Sequence, residues 1–290
     1  MYQQPIFTIF GQGVNLYGIS LAVGLLCCII MFFVLTTKMK TPEKVQDFMF
    51  YVAIGAIALG FLAAKFYQAV YDWIETGVFD FYGAGMTVMG GLIGGVVAFL
   101  ALYFGVGHFI FKDKEKGLHI KHFKDVFNVA PACITIAHAF GRIGCLFAGC
   151  CHGEYLGQNY VFGGIYMVTP DDGAGYFVPT QLYEALFLFA LTIVLVILCV
   201  KRYQITMHIY LIAYGIWRIF IEFFRADERG AFVLGLAPSQ WQSILFIVAG
   251  VILFIFYIYK KWKFIAPEEN DELQQAKNQE LEDNNWCFKR

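Results

Sequence analysis

Seven long apolar stretches dominate this chain, at about 15–37, 46–70, 87–107, 126–149, 182–200, 207–225 and 238–259. Each is close to or above the ~20 residues that a helix needs to cross ~30 Å of hydrocarbon. A bilayer interior has no water to bond to backbone N–H and C=O groups, so such stretches persist there as helices that satisfy their own. The expected fold class is therefore all-α, a polytopic membrane protein with about seven transmembrane helices. Composition agrees, since 59% of the 290 residues are hydrophobic and only 15% are charged, a balance foreign to a water-soluble domain of this size.

An odd number of spans puts the two ends of the array on opposite sides, and the basic residues choose which. Lys38, Lys40 and Lys44 follow the first span, and Lys112, Lys114, Lys116, Lys121 and Lys124 follow the third. Lys201 and Arg202 follow the fifth, and Lys260, Lys261 and Lys263 the seventh. The alternate connections hold only Arg225 and Arg229. The positive-inside rule then places the N-terminus outside and the C-terminus in the cytoplasm. The N-terminal MYQQPIFTIF has no Lys or Arg and no small-residue cleavage site after it, so the first apolar run is expected to stay as an anchor.

Two regions are expected. Residues 1–263 form the transmembrane domain, with an extracytoplasmic insertion at about 150–180, and residues 264–290 form a polar cytoplasmic tail. Within the insertion, Tyr160–Val168 reads either as a short strand or as an interfacial flap, and its aromatic residues suit an interface anchor. With 21 basic and 22 acidic residues, no global field attracts nucleic acid. Eight cysteines are too sparse for a disulfide scaffold, and several fall in apolar runs where a thiol acts as a small hydrophobe.

Ionisable side chains inside spans cost about 2.5–3.5 kcal/mol on insertion scales, which makes each a functional candidate. They are Lys65, His138, Arg142, Arg218 and Glu222. Arg142 and Arg218 each fall about eight residues, ~12 Å, below the outer end of their spans. Glu222 lies one turn from Arg218 and can pair with it. Guanidinium groups bind phosphate oxygens in bidentate fashion, so two of them at headgroup depth suit a phospholipid. The competing reading has each arginine snorkelling to the interface or locked to Glu222. Gly90, Gly91, Gly94 and Gly95 read as a face for close helix packing.

At these residues the chain resembles the prolipoprotein diacylglyceryl transferase family. The resemblance is carried by Tyr17-Gly18, Gly90-Gly91-Leu92-Ile93-Gly94, Gly141-Arg142-Ile143-Gly144, Gly153, Pro179-Thr180-Gln181-Leu182-Tyr183-Glu184, and Tyr214-Gly215 onward to Arg218, Glu222 and Arg225. It implies an enzyme of the bacterial cytoplasmic membrane, active toward the outer leaflet and needing no cofactor. Its partners would be phosphatidylglycerol, as diacylglyceryl donor, and the lipobox cysteine of prolipoprotein signal peptides. By resemblance Arg142, Arg218, Tyr17 and Glu222 are catalytic, and Gly90, Gly91, Gly153, Gln181, Glu184 and Arg225 join the two arginines in binding substrate; Lys65, an ionisable residue near the outer end of span two, is added to the binding set on that ground.

Three positions depart from the family pattern. Met89 stands where a His usually precedes the Gly-Gly pair, Cys145 replaces an Asn after Gly-Arg-Ile-Gly, and Ala148-Gly149-Cys150-Cys151-His152-Gly153 lacks an expected Glu. His152, at the outer mouth, is the favoured replacement for the lost imidazole, with His138 as the other. Cys145, Cys150, Cys151 and His152 do not have the paired spacing of common zinc sites, so no metal is expected. The departures leave open a lipid or headgroup transferase with another acceptor, and a non-catalytic lipid or anion carrier.

Overall fold

The structure is a computed structural model that describes residues 5–9, 12–112, 115–169, 173–225, 236–237 and 239–259. Lys114, Arg229, Lys260, Lys261, Lys263 and the expected tail lie outside the described residues. The seven apolar stretches form helices α1 (Leu16–Lys38), α2 (Glu43–Thr76), α3 (Val88–Ile110), α4 (Leu118–Ala148), α5 (Thr180–Val200), α6 (Thr206–Glu222) and α7 (Ser239–Tyr259). Among the described residues, six of them are long and apolar enough to cross a membrane. The exception is α6, whose 17 residues extend only ~26 Å.

The described residues divide into two compact units. The first takes in residues 1–148 and 182–206, the second residues 149–181 and 207–290. In the first unit α2 packs against α3, and α1 against α4. The α2–α3 contact runs through glycine: a Cβ at Gly90 would sit 2.5 Å from that of Tyr67, and one at Gly94 would collide with Ala63. Small residues let the two backbones meet directly, which is how helices gain contact where lipid supplies no hydrophobic drive.

Inside α4, Pro131 has no N–H to offer Phe127, the carbonyl one turn earlier. Thr206 Oγ1 lies within hydrogen-bonding reach of Phe127 O at 3.2 Å and Asn128 O at 3.0 Å, answering the exposed carbonyls where water is scarce. Long apolar side chains such as Leu26, Ile57, Phe61 and Val97 face outward, an arrangement that lipid solvates and water does not.

The basic connections of this unit meet at one end. Lys44 pairs with Glu115, Arg202 Nη2 donates to Lys38 O at 3.3 Å, and Thr41 Oγ1 donates to buried Asp125 at 3.0 Å. Beneath them Val45, Phe48, Met49, Val52, Tyr103, Phe111 and Val126 form a buried cluster.

Beyond the helices, the described residues form two small antiparallel sheets, more strand than the all-α expectation with its one short strand or flap contains. β1 (Phe7–Ile9) and β2 (Gln12–Val14) form a hairpin before α1. In the second unit β3 (Tyr155–Gly157), β4 (Ile165–Thr169) and β5 (Gly173–Phe177) pair in the order β3-β5-β4. The 160–168 segment is therefore a strand from Ile165 onward, entered through a turn in which Gly164 N donates to Val161 O.

Candidate functional site

Arg142 stands in the last two turns of α4, and its Nε has two close partners. Glu184 Oε2, from the first turn of α5, lies 3.0 Å away, and His138 Nε2, one turn earlier on α4, accepts from it at 3.2 Å. His138 Nε2 is also 3.8 Å from Glu184 Oε1. The Glu184 side chain is 0% exposed. A carboxylate so deeply removed from solvent persists only when paired, and Arg142 supplies the charge. The single Nε–H is directed at His138, and the charge of Glu184 beside it favours this setting of the planar guanidinium. Because His138 accepts at Nε2, its proton resides on Nδ1.

Tyr17, in the first turn of α1, lies against the same end of α4. A Cβ at Gly144 would come within 3.0 Å of the Tyr17 ring and 3.3 Å of its carbonyl. The second glycine of Gly-Arg-Ile-Gly thus admits the tyrosine to the helix that carries Arg142. Gly90 and Gly91 serve the α2–α3 contact. Lys65 donates to Tyr82 O at 3.0 Å and stands 5.8 Å from the centre of the Phe81 ring, so it ties down the loop between α2 and α3.

In the second unit Arg218 and Glu222 form the expected one-turn pair, with Nη2 to Oε2 at 3.0 Å and side chains 8% and 11% exposed. Three other predicted residues, Gly153, Arg225 and Gln181, belong to the same unit. The Gly153 N–H donates to Val178 O at 2.8 Å, the residue bridges to Arg225, and a Cβ there would collide with Phe224 O. Fully buried Gln181 donates from Nε2 to Cys150 O at 2.7 Å, and Thr180 Oγ1 donates to Cys151 O at 2.9 Å. The turn that presents Cys150 to Gly153 is therefore stitched to the start of α5. Its backbone is left-handed at Gly149 (φ 70°) and at Cys151 (φ 63°), a conformation the second of these adopts at a steric cost.

His152 is enclosed. It is 8% exposed, with its ring 4.5 Å from that of Phe177 and Nδ1 3.0 Å from Gly153 O. Phe177 of β5 packs against one side of the ring. The contact to a carbonyl assigns the proton to Nδ1 and the basic lone pair to Nε2.

Sequence reading missed the Arg142–Glu184 pair. The signal was present: Glu184 is the single acidic residue of its apolar stretch and belonged among the buried charges alongside Glu222.

Comparison with known proteins places these residues in context. The family model described as prolipoprotein diacylglyceryl transferase matches residues 4–256. The chain is 31% identical over 257 residues to phosphatidylglycerol–prolipoprotein diacylglyceryl transferase 2 of Clostridium perfringens (strain 13 / Type A), covering 85% of this chain and 92% of that protein. It is 30% identical over 274 residues to the phosphatidylglycerol–prolipoprotein diacylglyceryl transferase of Clostridioides difficile (strain 630), covering 91% and 98%. The protein of that name from Dehalococcoides mccartyi (strain ATCC BAA-2100 / JCM 16839 / KCTC 5957 / BAV1) is 29% identical over 266 residues, covering 88% and 94%.

Proposed function

The chain belongs to the prolipoprotein diacylglyceryl transferase family, and from that membership we propose that it moves diacylglycerol from phosphatidylglycerol to the lipobox cysteine of prolipoproteins. The cysteine thiolate attacks the glycerol carbon that bears the phosphodiester. A C–S bond forms, the C–O bond breaks, and glycerol phosphate departs with the electron pair. Two demands follow: the thiol must lose its proton, and negative charge gathering on the departing phosphate must be met by oriented donors.

The observation that carries this reading is the Arg142 cluster, a guanidinium whose Nε–H donates to an imidazole and whose charge is paired with a fully buried carboxylate. Holding a cation in a set orientation inside apolar helices is costly, and it gives the leaving phosphate a donor that needs no reorganisation. Arg218, paired with Glu222, is a second guanidinium suited to phosphate oxygens, and Tyr17 donates a hydrogen bond to the lipid. Through Nε2, His152 takes the thiol proton. Lys65, Gly90 and Gly91 in the first unit, and Gly153, Gln181 and Arg225 in the second, contribute to substrate binding through the local structure they hold, while Glu184 acts through Arg142. No cofactor enters. The active face belongs to the outer leaflet of the bacterial cytoplasmic membrane, with the N-terminus outside.

The test is transfer itself. Purified protein given labelled phosphatidylglycerol and a lipobox peptide should release glycerol phosphate and add the mass of diacylglycerol to the peptide. A folded preparation that does neither removes the proposal. Met89 and Cys145, which depart from the family pattern, favour one second reading, a transferase with another acceptor. That reading is supported if labelled donor is consumed only when a different thiol or hydroxyl compound replaces the peptide.

A further inference from the structure

A groove of about 360 Å³ runs along the lipid-facing side of the first unit, away from Arg142 and its partners in sequence and in lining. It is lined by Lys44, Phe48, Tyr51, Val52 and Gly55 of α2 and by Leu102, Val106 and Ile110 of α3. Apart from Lys44 every lining side chain is apolar or aromatic. The α2 residues recur at helical spacing along one face, and those of α3 recur every four residues, so the groove follows both helix axes.

Its length and depth match one half of a bilayer. Residues 48–64 of α2 carry no charged side chain and are bounded by Asp47 and Lys65, so they mark the hydrocarbon layer. Gly55 falls near the middle of that stretch, and Lys44 falls one turn outside it. From Lys44 to Gly55 is ~16 Å at the helical rise, close to half of the ~30 Å hydrocarbon thickness. The groove thus begins at headgroup level and ends near the midplane.

The floor is rigid. Phe48 and Val52 are both 5% exposed and belong to the buried cluster with Tyr103 and Phe111. One wall is Tyr51, 70% exposed. At the inner end the missing side chain of Gly55 leaves room beside Leu102, whose Cδ1 would lie 3.1 Å from a Cβ there.

The mouth is cationic. The described residues of the connections around it, 38–47, 112 and 115–125, hold seven lysines against four carboxylates. Lys44 itself stands 5.6 Å from the Phe111 ring centre and pairs with Glu115 on an exposed surface, where such a pair contributes little and yields to another anion.

We infer that this groove binds one acyl chain of an anionic phospholipid, with its phosphate at Lys44, in the leaflet that borders the basic connections. The inference is independent of the transferase reading. An apolar groove whose lining extends ~16 Å along α2 fits a lipid tail, and the excess of lysine at its mouth selects an anionic headgroup over a zwitterionic one. This lipid is bound as a structural ligand rather than consumed.

Photolabelling of the full-length protein in nanodiscs tests it. The probe is phosphatidic acid bearing a diazirine at mid-chain, and labelled peptides are mapped by mass spectrometry. Label should concentrate on residues 48–55 and 102–110, and unlabelled phosphatidylserine should compete about fivefold better than phosphatidylcholine. Lys44→Ala should bring the two competitors level, and Val106→Trp, which fills the groove from the lipid side, should remove most of the label. Equal labelling of the groove and of the outward face of α5 (Ile193, Ile197), without headgroup preference, would identify annular lipid only and overturn the inference. Monodisperse Val106→Trp protein that labels as the wild type does would overturn it equally.

Discussion

Arg142 and Arg218 are each backed by a carboxylate, but by different routes. Arg218 takes its partner from its own helix, one turn on, whereas Arg142 takes Glu184 from α5. The second arrangement ties the site to the packing of two helices. Removing Glu184 leaves a buried guanidinium without its counter-charge, a change of about 3–5 kcal/mol when a partner is lost. Glu184→Ala should therefore lower the thermal midpoint sharply, measured by fluorescence-detected size-exclusion after heating. Glu184→Gln, which keeps an oxygen facing Nε, should fold and lose transfer instead. His138 is a positioning residue in this geometry, because Nε2 accepts from Arg142. His138→Gln should keep most activity, since an amide oxygen can also accept, while His138→Leu should lose about 10–100-fold in kcat. Steady-state transfer kinetics distinguish them; equal losses in both would instead mark the imidazole as a proton carrier. For His152 the expected signature differs. His152→Ala should be slow at neutral pH and recover toward pH 9, where an unassisted thiol ionises; a rate that stays flat would assign the proton to another group.

Among the elements, α2 and α3 show how glycine content converts into contact. Gly90 and Gly94 face α2 with no room for a further atom, while Gly105, on the same helix, has open space where a Cβ would stand. Gly94→Val should disperse poorly after extraction into detergent, and Gly105→Ala should be neutral or slightly stabilising, because alanine favours helix by up to ~1 kcal/mol. Thermal unfolding of the two purified variants decides it. These glycines were legible in the sequence as a packing stripe, since their spacing alone marks a face. The Cys150–Gly153 turn was not. Its dependence on Gln181 and Thr180 joins residues about thirty positions apart, and no local pattern announces hydrogen bonds to main-chain carbonyls. Packing of His152 against Phe177 was hidden for the same reason: Phe177 is placed only once β5 pairs with β3 and β4.

For the molecule as a whole, sidedness is the property with the clearest test. The basic connections gather at one end of the first unit, which is the condition for charge to orient a bundle. Alkaline phosphatase, which matures only outside the cytoplasm, should be inactive when fused after Lys116 and active when fused after Gly163. The reverse pattern would invert the assignment of leaflets. The spans, the placement of lysine and the family signature could all be read before any coordinates, because hydrophobicity, charge and motif order are properties of the chain taken one stretch at a time. What the tertiary structure alone decided is which groups meet: Glu184 with Arg142, Tyr17 with Gly144, Gly153 with Arg225, and the tail-shaped groove between α2 and α3. Pairing of this kind depends on how helices pack through non-directional contacts summed over many atoms, and a one-dimensional pattern holds no record of that sum.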